Sequence, residues 1–340
     1  MDSTLNLGCR VCGLLVFLLS TDLFLGSGAQ GAAAPQGQPV TIRVGHVSST
    51  ATFPLNLGIR SGIFKRRGLN VIAKQYADFS ALYLGHRAGD IEIGASGGVG
   101  SIVELHARGV PVKVIWGSSK MNNDILVRVD SSVKDLGQLK GKRIGILGGA
   151  ASFSANMFMA VLQAYYSFDP RKDGNVQFGA SALLASLLQN GDLEAFLSND
   201  PVTSIELAKG RVKSIGEMGA IYASHGGRHP TVGAISVSDQ FAAEHPDAVS
   251  AFLGGWVEAV KILKTDRKVW EEMVRTDLDM KDDKVVTLLS ERIPGLWPVK
   301  WDEADAKGEM EVLKFISRYA GSGFLEKIPE SAFSSRFQPK

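Results

Sequence analysis

The sequence predicts an α/β fold in two lobes, with a ligand cleft between them and a helical C-terminal segment. Three observations carry the prediction. Short apolar runs of strand type alternate with helix-period patterns from Val40 onward, which is how doubly wound parallel sheets read. The 340 residues, 45% hydrophobic and 21% charged, exceed what one core usually holds, so the chain should divide. Beyond Ser238 the pattern turns almost wholly helical.

The elements follow in order. "VCGLLVFLLSTDLFLG" (Val11 to Gly26) is apolar, Arg10 precedes it, and "SGAQGAAAPQGQP" follows, the layout of a secretory signal with a small-residue cleavage site. Residues 1–29 are expected to be that signal and 30–39 a linker. The run is interrupted by Asp22 and is shorter than the ~20 residues a membrane span needs. Both cysteines, Cys9 and Cys12, fall inside it, so the mature chain would have no thiol for catalysis, disulfides or metal.

"VTIRVGH" and "LNVIAKQY" read as strands flanking a helix that runs through Phe64. "SALYLGHRAGD" reads as a helix, "IEIGA" as a strand, "SGGVG" as a glycine-rich loop, then helix "SIVELHARG" and strand "VKVIWG". A second set starts near Ile125 with strand "DILVRVDS". After the short "KDLGQLKGK" helix, "GKRIGILGGAASFSANMF" gives a strand, a turn at Gly148-Gly149 and a helix. Helix "SALLASLLQNGD", strand "LEAFLS" and helix "DPVTSIELAKG" complete the set, and "TVGAISVS" returns as a strand. Val249, Phe252, Leu253, Trp256, Val257, Val260 and Leu263 then share one helical face, with Pro246 in the first turn.

The 37 basic and 35 acidic residues are mixed along the chain, without the stripe a nucleic-acid binder needs, so nucleic acid is excluded as a partner. Neither the G-x-G-x-x-G nor the P-loop fingerprint is present. The turn at Gly148 opens a helix whose free N–H groups, with the hydroxyls of Ser152 and Ser154, suit an anion; the plain alternative is a serine cap. "GASGG" (Gly94 to Gly98) matches the nucleophile elbow G-x-S-x-G, but His225, His229 and His245 complete no persuasive triad with Ser96. Its other reading is a Gly/Ser loop with backbone amides turned to a cleft. Histidines 225 and 229 sit in a glycine-containing loop and lack metal-ligand spacing, so no metal is expected. Asp200 before Pro201 reads as a helix cap or as a carboxylate at the cleft.

Five strings in order, "SGIFKRRGLNV", "AGDIEIGASGG", "LKGKRIGI", "LLQNGDLEAFLSNDP" and "SVSDQFAAEHPDAVSAFL", resemble the nitrate/sulfonate/taurine-binding (SsuA/TauA/ThiY-like, NMT1/THI5-like) branch of ABC-transporter periplasmic solute-binding proteins. The resemblance implies a type II periplasmic binding protein fold, with lobe I at residues 40–125 plus 233–340 and lobe II at 126–232. It implies a ligand-binding set of Ser48, Thr50, Phe53, Ser96, Gly97, Ser152, Phe153, Ser154 and Asp200, in which Phe53 and Phe153 would flank an aromatic ring or pack in the core. Arg228 would face the cleft or solvent. The implied partners are a small organic anion, an ABC permease and its ATPase, with the binding protein an exported, periplasmic monomer that uses no cofactor and catalyses nothing. Asn199-Asp200 stand where taurine binders often carry other residues, and no arginine is placed to clamp a sulfonate, so sulfonate, taurine, nitrate and aromatic carboxylate stay open. The alternatives are a serine hydrolase using Ser96, a binder of thiamine-pyrimidine precursors, or a sensory module with the same cleft. The related pyrimidine-forming enzymes carry a cysteine-rich motif that the mature chain lacks.

Overall fold

A computed structural model describes residues 38–172, 175–321 and 324–339. The expected signal, residues 1–29, and all but the last two residues of the expected linker lie outside the described residues.

The first half begins with β1 (Val40–Val47), α1 (Phe53–Arg60), α2 (Ile63–Arg66), β2 (Leu69–Tyr76) and α3 (Phe79–Ala88). It continues with β3 (Ile93–Gly98), α4 (Val99–Ala107) and β4 (Val112–Lys120). The helix expected through Phe64 breaks in two because Gly62 takes a left-handed turn at φ 67°, which glycine adopts without steric cost. The second half runs through β5 (Asp124–Arg128), β6 (Ile144–Leu147), α5 (Phe153–Tyr166), β7 (Val176–Gly179), α6 (Ser181–Asn190), β8 (Ala195–Ser198), α7 (Val202–Ala208), β9 (Val212–Glu217) and α8 (Met218–Ser224). The chain then returns through β10 (Thr231–Ser238) and ends in α9 (Asp239–Glu244), α10 (Pro246–Thr265), α11 (Arg267–Asp277), α12 (Asp283–Arg292) and α13 (Glu303–Tyr319).

Two five-stranded sheets result, ordered β2-β1-β3-β10-β4 and β7-β6-β8-β5-β9. Neither is purely parallel, as the strand-helix alternation suggested. β10 runs antiparallel to β3 and β4, and β5 antiparallel to β8 and β9. The reason is connectivity: these are the strands by which the chain enters each sheet from the other, so they arrive from the opposite end. The antiparallel ladder of β10 also draws Gly97 and Gly98 into β3, pairing them with Ala234 and Gly233, where a loop was expected. Glycine is required at Gly94, since a Cβ there would lie 2.5 Å from the His86 ring and 2.7 Å from Ser236 Oγ.

The predicted face of α10, from Val249 to Leu263, is buried and closes the core of the first half. All five tryptophans of the chain, Trp116, Trp256, Trp270, Trp297 and Trp301, lie in that core. The core of the second half contains none and is filled around Met121, Met157, Met159, Met218 and Phe158. Helix α13 serves both halves: Ala306 and Leu313 enter the first core, while Val312 and Ile316 enter the second and pack toward α5.

Candidate functional site

The candidate site is built from strand ends and helix starts. In the first half, β1 runs into an exposed Ser48 and a one-turn 3-10 segment that starts at the half-buried Thr50. Ser96, buried within β3, accepts a hydrogen bond on its Oγ from Val47 N–H at 2.9 Å, so its hydroxyl holds the first loop against the neighbouring strand. Gly97 is buried beside it, and the Gly98 N–H donates to the Tyr83 hydroxyl at 2.9 Å. Burial is the main reason the Tyr83 phenol lies above its usual pKa. Phe53 is wholly buried, 5.3 Å from the Trp270 ring, so its ring is committed to the core.

In the second half, β6 ends at Leu147 and the chain turns at Gly148, whose φ of 78° favours glycine. Ser152 then caps α5 by accepting from Ala155 N–H at 3.2 Å. That bond satisfies one first-turn donor, and the helix leaves the N–H groups of Phe153 and Ser154 without an intrahelical partner. Phe153 packs against both cores; a Cβ on Gly100, in the first turn of α4, would lie 3.4 Å from its ring. The starts of α4 and α5 therefore meet at Phe153, one from each half.

Ser154 leads into a side-chain chain. Its hydroxyl donates to Asn123 Oδ1 at 3.0 Å, Asn123 Nδ2 donates to the Ser198 carbonyl at 3.1 Å, and Thr203 Oγ1 donates to Ser198 Oγ at 3.0 Å. Beside it lies an ionic group that the sequence did not reveal. Arg292, at the end of α12, donates from Nε to Asp200 Oδ2 at 2.9 Å and from Nη2 to Asp124 Oδ2. The remaining oxygens are also engaged: Ser204 N–H and hydroxyl donate to Asp200 Oδ1 at 3.0 and 2.5 Å, and Ser214 donates to Asp124 Oδ1 at 2.7 Å. Asp200 thus stands just before α7, which begins at Val202; one of its oxygens accepts from the first-turn Ser204 N–H as a cap does, and the other takes Arg292. Burial works against the Arg292 charge, yet the two carboxylates outweigh it and hold its pKa above the ordinary value. Burial pushes Asp124 up, against the pull of Arg292 and Ser214. Removing the guanidinium would leave two buried carboxylates short of a partner, a loss of about 3–5 kcal/mol.

The structure therefore joins Ser96 to the first loop, Phe153 to α4, and Ser154 and Asp200 to one polar cluster around Asn123 and Asp124. The histidines weighed for catalysis lie elsewhere. His225 stacks on Tyr165 at 3.8 Å, His229 pairs with Glu217 at 3.0 Å, and His245 packs on Phe241. Among the described residues no histidine hydrogen-bonds Ser96, and no cluster of three metal-ligating side chains occurs. Arg228 pairs with Asp305 and donates to the Ala304 carbonyl, both on α13. What the arrangement offers chemically is N–H groups, hydroxyls and helix starts, which favour an anion.

The family model described as NMT1/THI5 like matches residues 49–266, which include strands of both sheets. The chain belongs to the NMT1/THI5-like family. A Bacillus subtilis protein described as an aliphatic sulfonates-binding protein is 27% identical over 256 residues, 73% of each chain. The taurine-binding periplasmic protein of Escherichia coli is 24% identical over 242 residues, 69% of this NMT1/THI5-like chain and 70% of its own. Among solved structures, the periplasmic aliphatic sulphonate binding protein SsuA of Escherichia coli superposes with a TM-score of 0.68 at 16% identity, covering 89% of this chain and 93% of that one. The periplasmic nitrate-binding protein NrtA of Synechocystis gives 0.65 at 13%, covering 87% and 84%. At such identities the structural likeness is one of fold, and it places this NMT1/THI5-like chain among periplasmic binding protein folds.

Proposed function

We propose that this protein is the extracytoplasmic solute-binding component of an ABC importer, holding a small organic anion in a hinged cleft between its two halves. The single observation that carries the proposal is a family match that spans strands of both sheets, on a chain whose halves meet at two helix starts. An anion of sulfonate, taurine, nitrate or carboxylate type would lie between the Ser96–Gly97 strand end and the Ser152–Ser154 helix start, neutralised by N–H dipoles and hydroxyls. Phe153 would cover one side of it. The protein would work as a monomer, exported across the inner membrane, and hand its cargo to a permease and ATPase. No helix among the described residues is long and apolar enough to cross a membrane. The hydrolase reading is not favoured, because among the described residues no histidine hydrogen-bonds the Ser96 hydroxyl.

Thermal-shift titration of the mature chain with taurine, ethanesulfonate, nitrate and benzoate tests the proposal. A true ligand raises stability by RT ln(1 + [L]/Kd), about 2.7 kcal/mol at one hundred times Kd. Melting unmoved by every anion, together with turnover of simple esters that Ser96→Ala abolishes, would overturn it.

A further inference from the structure

Arg292 belongs to the first half by packing and to the second by charge. Its helix buries Val285, Val286 and Leu289 in the first core, with Ile293 just after its last turn. Its guanidinium nevertheless ends on Asp124, the first residue of β5, and Asp200, just after β8, both in the second sheet. The two carboxylate side chains are 4% and 0% exposed, so this is a built contact and not a surface pair. Helix α12 also packs on α7 of the second half. The two connections between the halves are Met121 to Asn123 and residues 225–230, and Asp124 directly follows the first, so opening the halves would bend the chain beside this contact.

We propose that Arg292 is a positioning residue that ties the C-terminal helical segment to the second half and thereby sets how far the two halves open. The inference rests on the solute-binding reading of the cleft and adds a regulator of that cleft. Apparent affinity scales with the fraction of molecules in the binding-competent arrangement, so a weaker tie lowers affinity while the Ser96–Gly97 and Ser152–Ser154 groups keep their residues.

The test uses the full mature chain in three forms: wild type, Arg292→Lys, and Arg292→Gln combined with Asp124→Asn, which removes one carboxylate so that the variant is not left with two unpaired. Circular dichroism checks folding, small-angle scattering reads the radius of gyration without ligand, and calorimetry with taurine and ethanesulfonate reads affinity. The expected result is a larger ligand-free radius and about tenfold weaker binding in the double variant, with Arg292→Lys between it and wild type. A lowered melting temperature with unchanged radius and affinity would reduce Arg292 to a structural role and overturn the proposal. If wild type binds neither probe, the scattering comparison still decides the tie, and only the sulfonate and taurine reading of the ligand fails.

Discussion

The two halves share a strand plan and differ in how they are held. The first is a large core studded with tryptophan and closed by α10 to α12, and its share of the candidate site is strand backbone: glycines in a ladder and one serine that fastens a loop. The second has a methionine-rich core without tryptophan, and its share is a network of side chains beside a buried ionic group. Rigid rings hold shape by volume, whereas methionine adapts and leaves precision to hydrogen bonds. The first half thus reads as the frame and the second as the adjustable jaw.

The contrast can be broken in several ways, beginning with the largest expected effect. Trp256→Ala should cost about 3–5 kcal/mol in urea unfolding, because the ring is fully buried among rigid neighbours. Met159→Ala should cost about 2 kcal/mol, at the low end for its type. A larger loss for Met159 would end the frame-and-jaw distinction.

The seam between halves is sharpened by Glu309 on α13, whose carboxyl is buried and accepts from Thr231 N–H at 2.9 Å. Burial raises its pKa from 4.5 to about 7, opposed by the Thr231 bond, Lys120 and Arg228. A raised folded pKa contributes stability fully below pH 4.5, which is lost as pH rises through 7. Glu309→Gln should therefore gain on wild type by about 3 kcal/mol between pH 4 and pH 8, measured by denaturant unfolding at both. A pH-independent difference would mean that the carboxyl is not strained at the seam.

Smaller effects compare the two serines. Ser96→Ala orphans the Val47 N–H and should cost about 1–2 kcal/mol. Ser152→Ala removes only a helix cap, about 1 kcal/mol, and leaves the remaining first-turn amides in place. Equal losses in urea unfolding would blur the difference between loop fastener and cap.

Much of this fold could be read locally, and its gaps have a common cause. Strands such as β1 and β10 announce themselves because β-branched residues recur along them, Val40, Ile42 and Val44 in one and Val232, Ile235 and Val237 in the other. The strands the pattern missed, β7 and β9, are the two edges of the second sheet; β7 is only four residues long and β9 carries Lys213, Ser214, Gly216 and Glu217 among its six. The directions of β5 and β10 could not be seen because they are set by connections to the other sheet. At the site, Ser152 and Ser154 stood out because a helix start after a glycine turn has a local signature. Arg292 did not, since its partners lie 92 and 168 residues away and only the packing of α12 delivers it. Nothing near "ERIPGLW" marks it.

The lopsided placement of the indoles has an experimental consequence. Tryptophan emission, excited selectively over tyrosine, originates entirely in the first half, so melting monitored by it is blind to loosening that begins around α5 and β6. Backbone-sensitive probes should detect such loosening first. A gap between the two signals would show that the jaw gives way before the frame.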